Sequence, residues 1–209
     1  MPEAVLCSHK SSLQVETIIG IAGEAGRRLL LTRLDPGCLA QCSDACRTRI
    51  DYDLQSRTGV VGGPLPEERL HRGIGIVAAG TADVPVAREA ARTLAFLGYA
   101  HPLIADVGVA GLWRLMQRID DVRSLRVVIA VAGMEGALFS VIAGLVEAPV
   151  IAVPTSIGYG VSAGGCTALD AALASCAPGV LAVNIDNGFG AAQAAVKILR
   201  QVGRGEPDL

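Results

Sequence analysis

Apolar runs and helical stretches alternate over the second half of this sequence. Five short runs are almost wholly apolar, without the alternation of a half-exposed strand, and glycine-containing turns separate them from amphipathic stretches. Strands buried on both faces belong to parallel sheets that helices cover. The pattern therefore predicts a three-layer αβα fold with a doubly wound parallel sheet. The expected strands are 73–80, 100–108, 126–133, 149–154 and 179–186, and the expected helices are 83–98, 110–122, 136–147, 166–176 and 191–202.

The first half has a shorter and more mixed pattern, which predicts a small α/β unit. We expect a helix whose N-cap is Ser11 or Ser12, and a second, short helix with Pro36 in its first turn. The segment 49–62 alternates between apolar and polar residues like an edge strand. The other expected elements are strands at 4–7 and 27–34 and helices at 11–26 and 35–46.

A segment rich in glycine, proline and charge, GGPLPEERLHRG, separates the two patterns. Such composition favours a linker. The predicted organisation is an N-terminal domain over 1–62, a linker over 63–72, a catalytic domain over 73–203 and a mobile tail over 204–209.

Composition excludes several classes of function. The 209 residues are 51% hydrophobic, enough for a sizeable core, and the formal net charge of −2 offers no basic surface for nucleic acid or an anionic membrane. Three Phe, three Tyr and one Trp leave few platforms for base stacking. The start MPEAVLCSHKSS lacks the features of a signal peptide, and the longest apolar runs are of strand length. We expect a cytoplasmic protein without a membrane span that binds a small molecule.

Loops that follow parallel strands meet at the carboxyl edge of the sheet, where such folds bind ligands. Four of these loops carry acidic residues, and one of the four is Asp106. Thr81 and Asp83 begin a helix, where Asp83 is either part of a phosphate-binding turn or an ordinary N-cap. Glu135 lies between glycines after an apolar strand, as a helix N-terminal charge or a general acid or base. Asp186 and Asn187 precede a glycine-rich turn, for which an Asx turn is the simpler interpretation.

The six cysteines match no CxxC pair, and in a reducing compartment we expect free thiols. Cys38, Cys42 and Cys46 recur every four residues on one face of the expected helix. At 1.5 Å per residue they span about 12 Å, too far for one tetrahedral ion, so a stripe of small apolar residues is the better interpretation. Cys176 closes another expected helix, where a buried core residue is the simplest expectation.

Five segments in order resemble the LarB family, which makes the nickel-pincer nucleotide cofactor and has a catalytic domain like that of PurE. They cover roughly 74–200. The segments are AAGTADVPVAREAARTL, DVGVAGLWRL, VVIAVAGMEGALFSVIAGLV, PVIAVPTSIGYG and SCAPGVLAVNIDNGFGAA.

The resemblance implies a carboxylase and hydrolase that acts on nicotinate adenine dinucleotide. In that family the pyridinium ring is carboxylated and the phosphoanhydride is cleaved, which yields pyridinium-3,5-biscarboxylic acid mononucleotide and AMP. It implies CO2 or bicarbonate as co-substrate and a homo-octamer as the assembly. The motifs further imply that Cys176 adds covalently to the ring and that Glu135 and Asp83 are catalytic. The implied substrate-binding residues are Gly80, Thr81, Ala82, Asp106, Gly133, Met134, Thr155, Ser156, Tyr159, Asn184, Asp186 and Asn187.

The chemistry explains why a cysteine is needed. A pyridinium ring is electron-poor, so it reacts with CO2 only after a nucleophile has added to it. A thiolate adds more readily than a serine hydroxyl and leaves more easily. Cleavage of the phosphoanhydride requires neutralised charge, for which we expect Mg²⁺ held by Asp83 or Asp186. The helix end expected at Cys176 disfavours a thiolate, so we expect the pyridinium cation to promote its ionisation.

One position departs from the family pattern, since Trp113 stands where that pattern holds a histidine. Two alternatives remain open. One is a PurE-type mutase acting on an aminoimidazole ribonucleotide, although DVGVAG occupies the place of its AHRTP-like segment. The other is a nucleotide-binding module without catalytic activity.

Overall fold

The computed structural model describes residues 4–63 and 70–202 and shows two α/β units, each built on its own sheet. Ser11 begins the first helix with a capping box, because its hydroxyl accepts from the amide of Gln14 and the Gln14 side chain accepts from the amide of Ser11. The elements of the first unit are β1 (Ala4–Leu6), α1 (Ser12–Glu24), β2 (Leu29–Thr32), α2 (Pro36–Ala40), α3 (Asp44–Arg47), β3 (Ile50–Asp53) and β4 (Thr58–Val61).

The first sheet has the order β1-β2-β4-β3, with β1 parallel to β2 and the other pairs antiparallel. The single edge strand expected over 49–62 is wrong, because β3 and β4 form a hairpin. The Asp53 carboxylate accepts from both the amide and the hydroxyl of Ser56, and Arg57 has a positive φ of 51°. These contacts turn the chain between two strands that share one alternating pattern.

The single helix expected over 35–46 is also wrong. Asp35 caps α2 through the amides of Gly37 and Cys38, but the chain leaves helical geometry at Ser43, which has a ψ of 155°. The amide of Ser43 donates to Glu16 of α1 at 2.5 Å. A tertiary contact to a side chain distant in sequence therefore divides the segment into α2 and α3.

The second unit has a five-stranded parallel sheet of order β6-β5-β7-β8-β9, which confirms the predicted doubly wound fold. Its strands are β5 (Ile74–Ala78), β6 (Leu103–Ile104), β7 (Val127–Ala132), β8 (Val150–Pro154) and β9 (Val180–Ala182). Its helices are α4 (Val84–Leu97), α5 (Leu112–Gln117), α6 (Ile119–Arg123), α7 (Ala137–Leu145), α8 (Cys166–Leu173) and α9 (Gly188–Val202).

Helices cover both faces of this sheet, as the unbroken apolar strands require. Helices α4 and α9 pack on one face through residues such as Leu94 and Val196, which are fully buried. The other face carries α5 to α8, with Phe139 and Ile142 of α7 at its centre. All residues of β5, β7 and β8 are buried.

Several elements of this unit are shorter than expected, and one of them is the strand expected over 179–186, which has only the three residues of β9. The strand expected over 100–108 has only the two residues of β6, and the helix expected over 110–122 is divided at Arg118. The helix expected to end at Cys176 ends at Leu173. The hydroxyl of Ser175 then accepts from the amide of Ala177, which shapes a turn ahead of Pro178. Cys176 therefore lies in a connection rather than at a helix end.

The two units contact each other along α4. Arg88 and Arg92 of this helix form ion pairs with Asp53 and Asp51 of β3 at 2.5 and 3.0 Å. Phe96 packs in a small apolar cluster with Leu30 and Val60 of the first sheet. Most of the predicted linker, residues 64–69, and the predicted tail over 204–209 lie outside the described residues. In the part of the chain that is described, no helix has the length and hydropathy to span a bilayer.

Candidate functional site

A cavity of about 280 Å³ lies at the carboxyl edge of the parallel sheet. Loops that follow β5, β6 and β7 form its walls, and Ile157 after β8 closes one side. The residues expected at the site that line it are Gly80, Ala82, Asp83, Gly133, Met134 and Glu135.

Asp83 connects two of the loops at this edge. It is only 4% exposed, and its Oδ1 accepts a 2.6 Å hydrogen bond from the hydroxyl of the fully buried Thr155. Its Oδ2 accepts from the amide of Gly80 at 2.9 Å. Asp83 stands at the N-cap of α4 but makes no side-chain cap bond. Its carboxylate therefore joins the β5 and β8 loops, which neither sequence interpretation foresaw.

Glu135 is presented by a tight turn after β7. Met134 has a positive φ of 53°, and its amide donates to the carbonyl of Ile157 at 2.8 Å. A Cβ on Gly133 would lie 2.2 Å from that same carbonyl oxygen, so only glycine fits there. The turn holds the exposed Glu135 side chain at the wall of the 280 Å³ cavity, where a base could reach a bound ring.

Asp186 and Asn187 have separate roles after β9. The amide of Asp186 donates to the carbonyl of Pro154 at 2.8 Å, and its Oδ1 accepts from the amide of Ser156 at 2.8 Å. The Oδ1 of Asn187 accepts from the amide of Gly190 at 2.8 Å and so caps the start of α9. The Asx-type interpretation fits Asn187, whereas Asp186 connects the β8 and β9 loops.

The Mg²⁺ expected at Asp83 or Asp186 finds no preformed pair of ligands. Both oxygens of Asp83 and one of Asp186 already accept hydrogen bonds from the protein. Neither residue belongs to a group of three close metal-ligating side chains among the described residues. The expectation of Mg²⁺ stays a prediction.

A second cavity of about 800 Å³ lies between the two units and shares Ala82 and Ile157 with the first. We call it the inter-unit cleft. Ser156 and Asp186 line it from the parallel sheet, and Arg33 and Arg57 line it from the first unit. Arg33 donates to the carbonyl of Asp186 at 2.8 Å. Within the described residues neither arginine forms a salt bridge, so the cleft offers two guanidinium groups to an anion.

Residues with left-handed backbone conformation surround these two cavities. Among the described residues, six that are not glycine have positive φ. For such residues this conformation costs roughly 1–2 kcal/mol each, and it concentrates at functional sites. Four of them line the inter-unit cleft and Met134 lines the smaller cavity; the four are His9, Arg33, Arg57 and Asp186.

A buried carboxyl group, Glu89, also lines the inter-unit cleft. It is 6% exposed and accepts from the amide of Phe189 at 3.2 Å, at the start of α9. Burial raises the pKa of Glu89, while this hydrogen bond and the charge of Arg33 oppose the increase. Glu89 thus adds a buried titratable group to the lining of the cleft.

Cys176 is not brought to either cavity within one chain. It lies between α8 and β9, whereas Asp83, Glu135 and Asp186 follow strands. The connection ends at the amino edge of the sheet, where Gly179 accepts from the amide of Val150. The two edges are about 13 Å apart along the five residues of β8, at 3.3 Å per residue. The Cys176 side chain is exposed.

Other expected site residues also line neither cavity. Asp106, with a positive φ of 59°, accepts from Arg114 through its carbonyl and pairs with it at 3.6 Å. Arg114 lies over the ring of Trp113, which is 61% exposed. The remaining members of this group are Thr81, Thr155, Tyr159, Asn184 and Asn187.

Sequence reasoning missed Arg33, Arg57 and Glu89. The two arginines follow or join strands of the first unit, where a charged residue is ordinary, and only their backbone conformation marks them. Glu89 lies in an amphipathic helix among other charged residues. The sequence signal for Glu89 is the start of α9, because free backbone amides at a helix start attract a carboxylate. Only the folded structure shows that Glu89 of α4 lies next to that helix start.

Comparison with known proteins assigns the second unit. A family model described as AIR carboxylase matches residues 73–204, more than half of the chain. An uncharacterized protein of Methanocaldococcus jannaschii is 50% identical over 120 residues, which are 56% of this chain and 46% of the relative. The chain thus aligns with about half the length of this relative.

Proposed function

The chain belongs to the AIR carboxylase family, and from this membership we propose that it carboxylates the pyridinium ring of nicotinate adenine dinucleotide and then hydrolyses the phosphoanhydride. At the family level the domain supports a carboxylase-type function. The observation that carries the finer proposal is the pair of joined cavities, one holding Glu135 and the other holding Arg33 and Arg57. A ligand with two parts, a ring and a pyrophosphate-linked nucleotide, matches that division.

The ring occupies the smaller cavity in this proposal. A thiolate adds to the ring carbon para to nitrogen, and the displaced π electrons move to the ring nitrogen, which loses its positive charge as a dihydropyridine forms. The neighbouring enamine carbon then attacks CO2 and forms the new carbon–carbon bond. Glu135 takes the proton from that carbon, the ring becomes aromatic again, and the thiolate leaves.

The phosphates and the adenylate occupy the inter-unit cleft. Arg33 and Arg57 form no salt bridge within the described residues and suit a diphosphate, because arginine donates paired hydrogen bonds to phosphate oxygens. They would also stabilise the negative charge that water attack on the phosphoanhydride develops. The first unit therefore acts as part of the substrate site.

The thiol of Cys176 comes from a second copy of the chain in this proposal. Within one chain Cys176 lines neither cavity, yet its side chain is exposed, and Leu173 and Leu181, near it in sequence, are 69% and 49% exposed. Tyr159 and Val161, in the loop after β8, are 77% and 93% exposed. Apolar side chains exposed on both surfaces are consistent with a contact between copies. The homo-octamer implied by the family resemblance would supply it.

Mass spectrometry of the intact chain tests the proposal. Incubation with nicotinate adenine dinucleotide, with and without CO2, should yield an adduct on Cys176 that C176A lacks and C166A retains; Cys166 is the matched control because it is also exposed. E135Q should keep the adduct but lose carboxylated product. Absence of any adduct together with full turnover would contradict covalent catalysis, and unchanged turnover in E135Q would remove Glu135 from the mechanism.

Substitutions in the cleft test where the nucleotide binds. R33A and R57A should each raise KM for the dinucleotide at least about tenfold, because a charge-assisted hydrogen bond contributes about 1.5–3 kcal/mol. R47A is the control, since Arg47 pairs with Asp44 on the surface and does not line the cleft. If KM changes equally little in all three variants, the cleft does not hold the phosphates.

A mutase acting on an aminoimidazole ribonucleotide is the second candidate, and the family match favours it. This reaction moves a carboxylate on an imidazole and needs no thiol. The segment Asp106–Gly111 contains no histidine, and none lines the smaller cavity in the described part of the chain. Turnover of carboxylated aminoimidazole ribonucleotide by C176A would support this candidate. A binding module without activity would show dinucleotide binding but no product from either substrate.

A further inference from the structure

Three potential metal ligands meet inside the first unit, away from both cavities. The ligand atoms of Glu16, Cys42 and Cys46 all lie within 4.8 Å of one another. Neither cavity is lined by any of the three. We propose that they form a binding site for a thiophilic divalent cation, with Zn²⁺ as the first candidate.

The fold assembles this site from residues that the sequence pattern keeps apart. The chain leaves α2 at Ala40 and enters α3 at Asp44, and this corner folds Cys42 and Cys46 against α1. Glu16 reaches the corner from α1, where one of its oxygens accepts from the amide of Ser43 at 2.5 Å. A regular helix would have spread Cys38, Cys42 and Cys46 over about 12 Å, whereas the break between α2 and α3 brings Cys42 and Cys46 to Glu16 and leaves Cys38 outside the group.

The three groups suit a borderline-soft ion. Zn²⁺ takes thiolate sulfur at about 2.3 Å and carboxylate oxygen at about 2.0–2.2 Å, and three protein ligands plus a water complete a tetrahedron. Cys42 and Cys46 are 3% and 7% exposed, so the sulfurs are shielded from solvent, while Glu16 is half-buried. Hard ions such as Mg²⁺ prefer all-oxygen sites. The ion would enter from the side of Glu16.

The third cysteine of the stripe provides a natural control. Cys38 is partly buried and its sulfur donates to the carbonyl of Lys10, so it is not a member of the three-residue group. C38A removes a neighbouring thiol without removing a ligand. E16Q keeps an oxygen that can accept from Ser43 but replaces the carboxylate by a much weaker ligand.

The test is metal titration of the full chain, reduced and freed of metal with a chelator. Co²⁺ should bind at one ion per chain with a sulfur-to-cobalt charge-transfer band, and Zn²⁺ should displace it and raise Tm. C42S and C46S should lose the band, and E16Q should weaken binding at least about tenfold. C38A and C166A should bind as the parent does.

Several outcomes would overturn the proposal. Absence of the charge-transfer band in the folded parent chain would do so, as would equal loss of binding in C38A or C166A. Glu16 has two roles in this proposal, as a metal ligand and as the acceptor of the Ser43 amide, and E16Q separates them. Unchanged Co²⁺ affinity in E16Q would show that the carboxylate is not a metal ligand. Circular dichroism of each variant distinguishes a lost ligand from a lost fold. None of these readouts depends on catalysis, so this proposal and the proposed function can fail separately.

Discussion

The hydrogen bond between Thr155 and Asp83 is the contact that holds the smaller cavity together at the level of single residues. Both side chains are buried, and the bond joins loops that are 72 residues apart in sequence. A buried carboxylate must have its hydrogen bonds satisfied. The Asp83 carboxylate therefore stabilises the turn that lines the cavity.

Replacing Thr155 with valine should therefore be costly although the two side chains have nearly the same shape. T155V leaves Oδ1 of Asp83 without its donor, and we expect the free energy of unfolding to fall by about 1.5–3 kcal/mol. T155S keeps the hydroxyl and should lose much less. Urea denaturation of both variants measures this difference, and equal midpoints for T155V and the parent would show that the bond contributes no stability.

The sequence identifies a functional residue when its polarity contrasts with that of its neighbours. Asp83, Glu135 and Asp186 lie in loops that come after apolar strands, and the structure places all three at the carboxyl edge of the sheet. Arg33 and Arg57 have no such contrast, since their importance lies in a left-handed backbone and in a second unit folded across the site. Neither the backbone conformation of these arginines nor the packing of the second unit can be predicted from composition or residue spacing.

Among the elements, the β3–β4 hairpin and α4 determine how the two units meet. Asp53 is at the end of β3, with its side chain 14% exposed, and Arg88 donates to both of its oxygens. This hydrogen bond to Arg88, together with those from Ser56, holds the pKa of Asp53 well below its usual range. The ion pair contributes stability while Asp53 is ionised.

The depressed pKa determines the pH dependence of this contact. An unfolded Asp titrates near pH 3.9, so the contribution is fully present above about pH 4 and is lost as the pH falls further, toward the folded-state pKa. D53N should lower the free energy of unfolding by about 1 kcal/mol at pH 7 for this partly exposed pair, and the deficit should shrink at pH 3. Urea midpoints at both pH values measure it.

An exposed ion pair supplies the control for that experiment. Asp120 pairs with Arg123 at 3.9 Å and its side chain is 96% exposed, so D120N should change the midpoint very little at either pH. A deficit in D53N that is the same at pH 7 and pH 3 would show that the charge of Asp53 does not connect the units.

The elements differ in how well sequence predicted them, and burial explains the difference. Helices α4 and α9 and strands β5, β7 and β8 lie where expected, because two-sided burial imposes an apolar pattern that is hard to mistake. The boundaries failed where a distant side chain intervenes. Glu16 divides α2 from α3, and Asp53 and Ser56 turn one alternating segment into a hairpin. Such contacts exist only after the chain has folded.

At the scale of the whole molecule, the position of Cys176 is the main constraint on the mechanism. The thiol is exposed, lies in the connection that leads into β9 and lines neither cavity of its own chain. At an interface between identical chains, a residue of one chain contacts a different residue of its neighbour, so a residue far from its own site can complete a neighbouring one. The proposed chemistry therefore makes assembly a condition of activity.

Mixing two inactive variants tests this condition. C176A lacks the nucleophile and E135Q lacks the base, so each alone should be inactive. If the thiol acts across an interface, an assembly formed from equal amounts of both contains sites with Glu135 from one chain and Cys176 from the other, at roughly a quarter of all sites. We expect carboxylation to recover to about that fraction after the mixed chains are dissociated and reassembled. If both groups act within one chain, every site contains a defect and no activity returns, which would exclude the shared site. Size-exclusion chromatography of the reassembled mixture confirms that the chains have combined, so a negative result is informative.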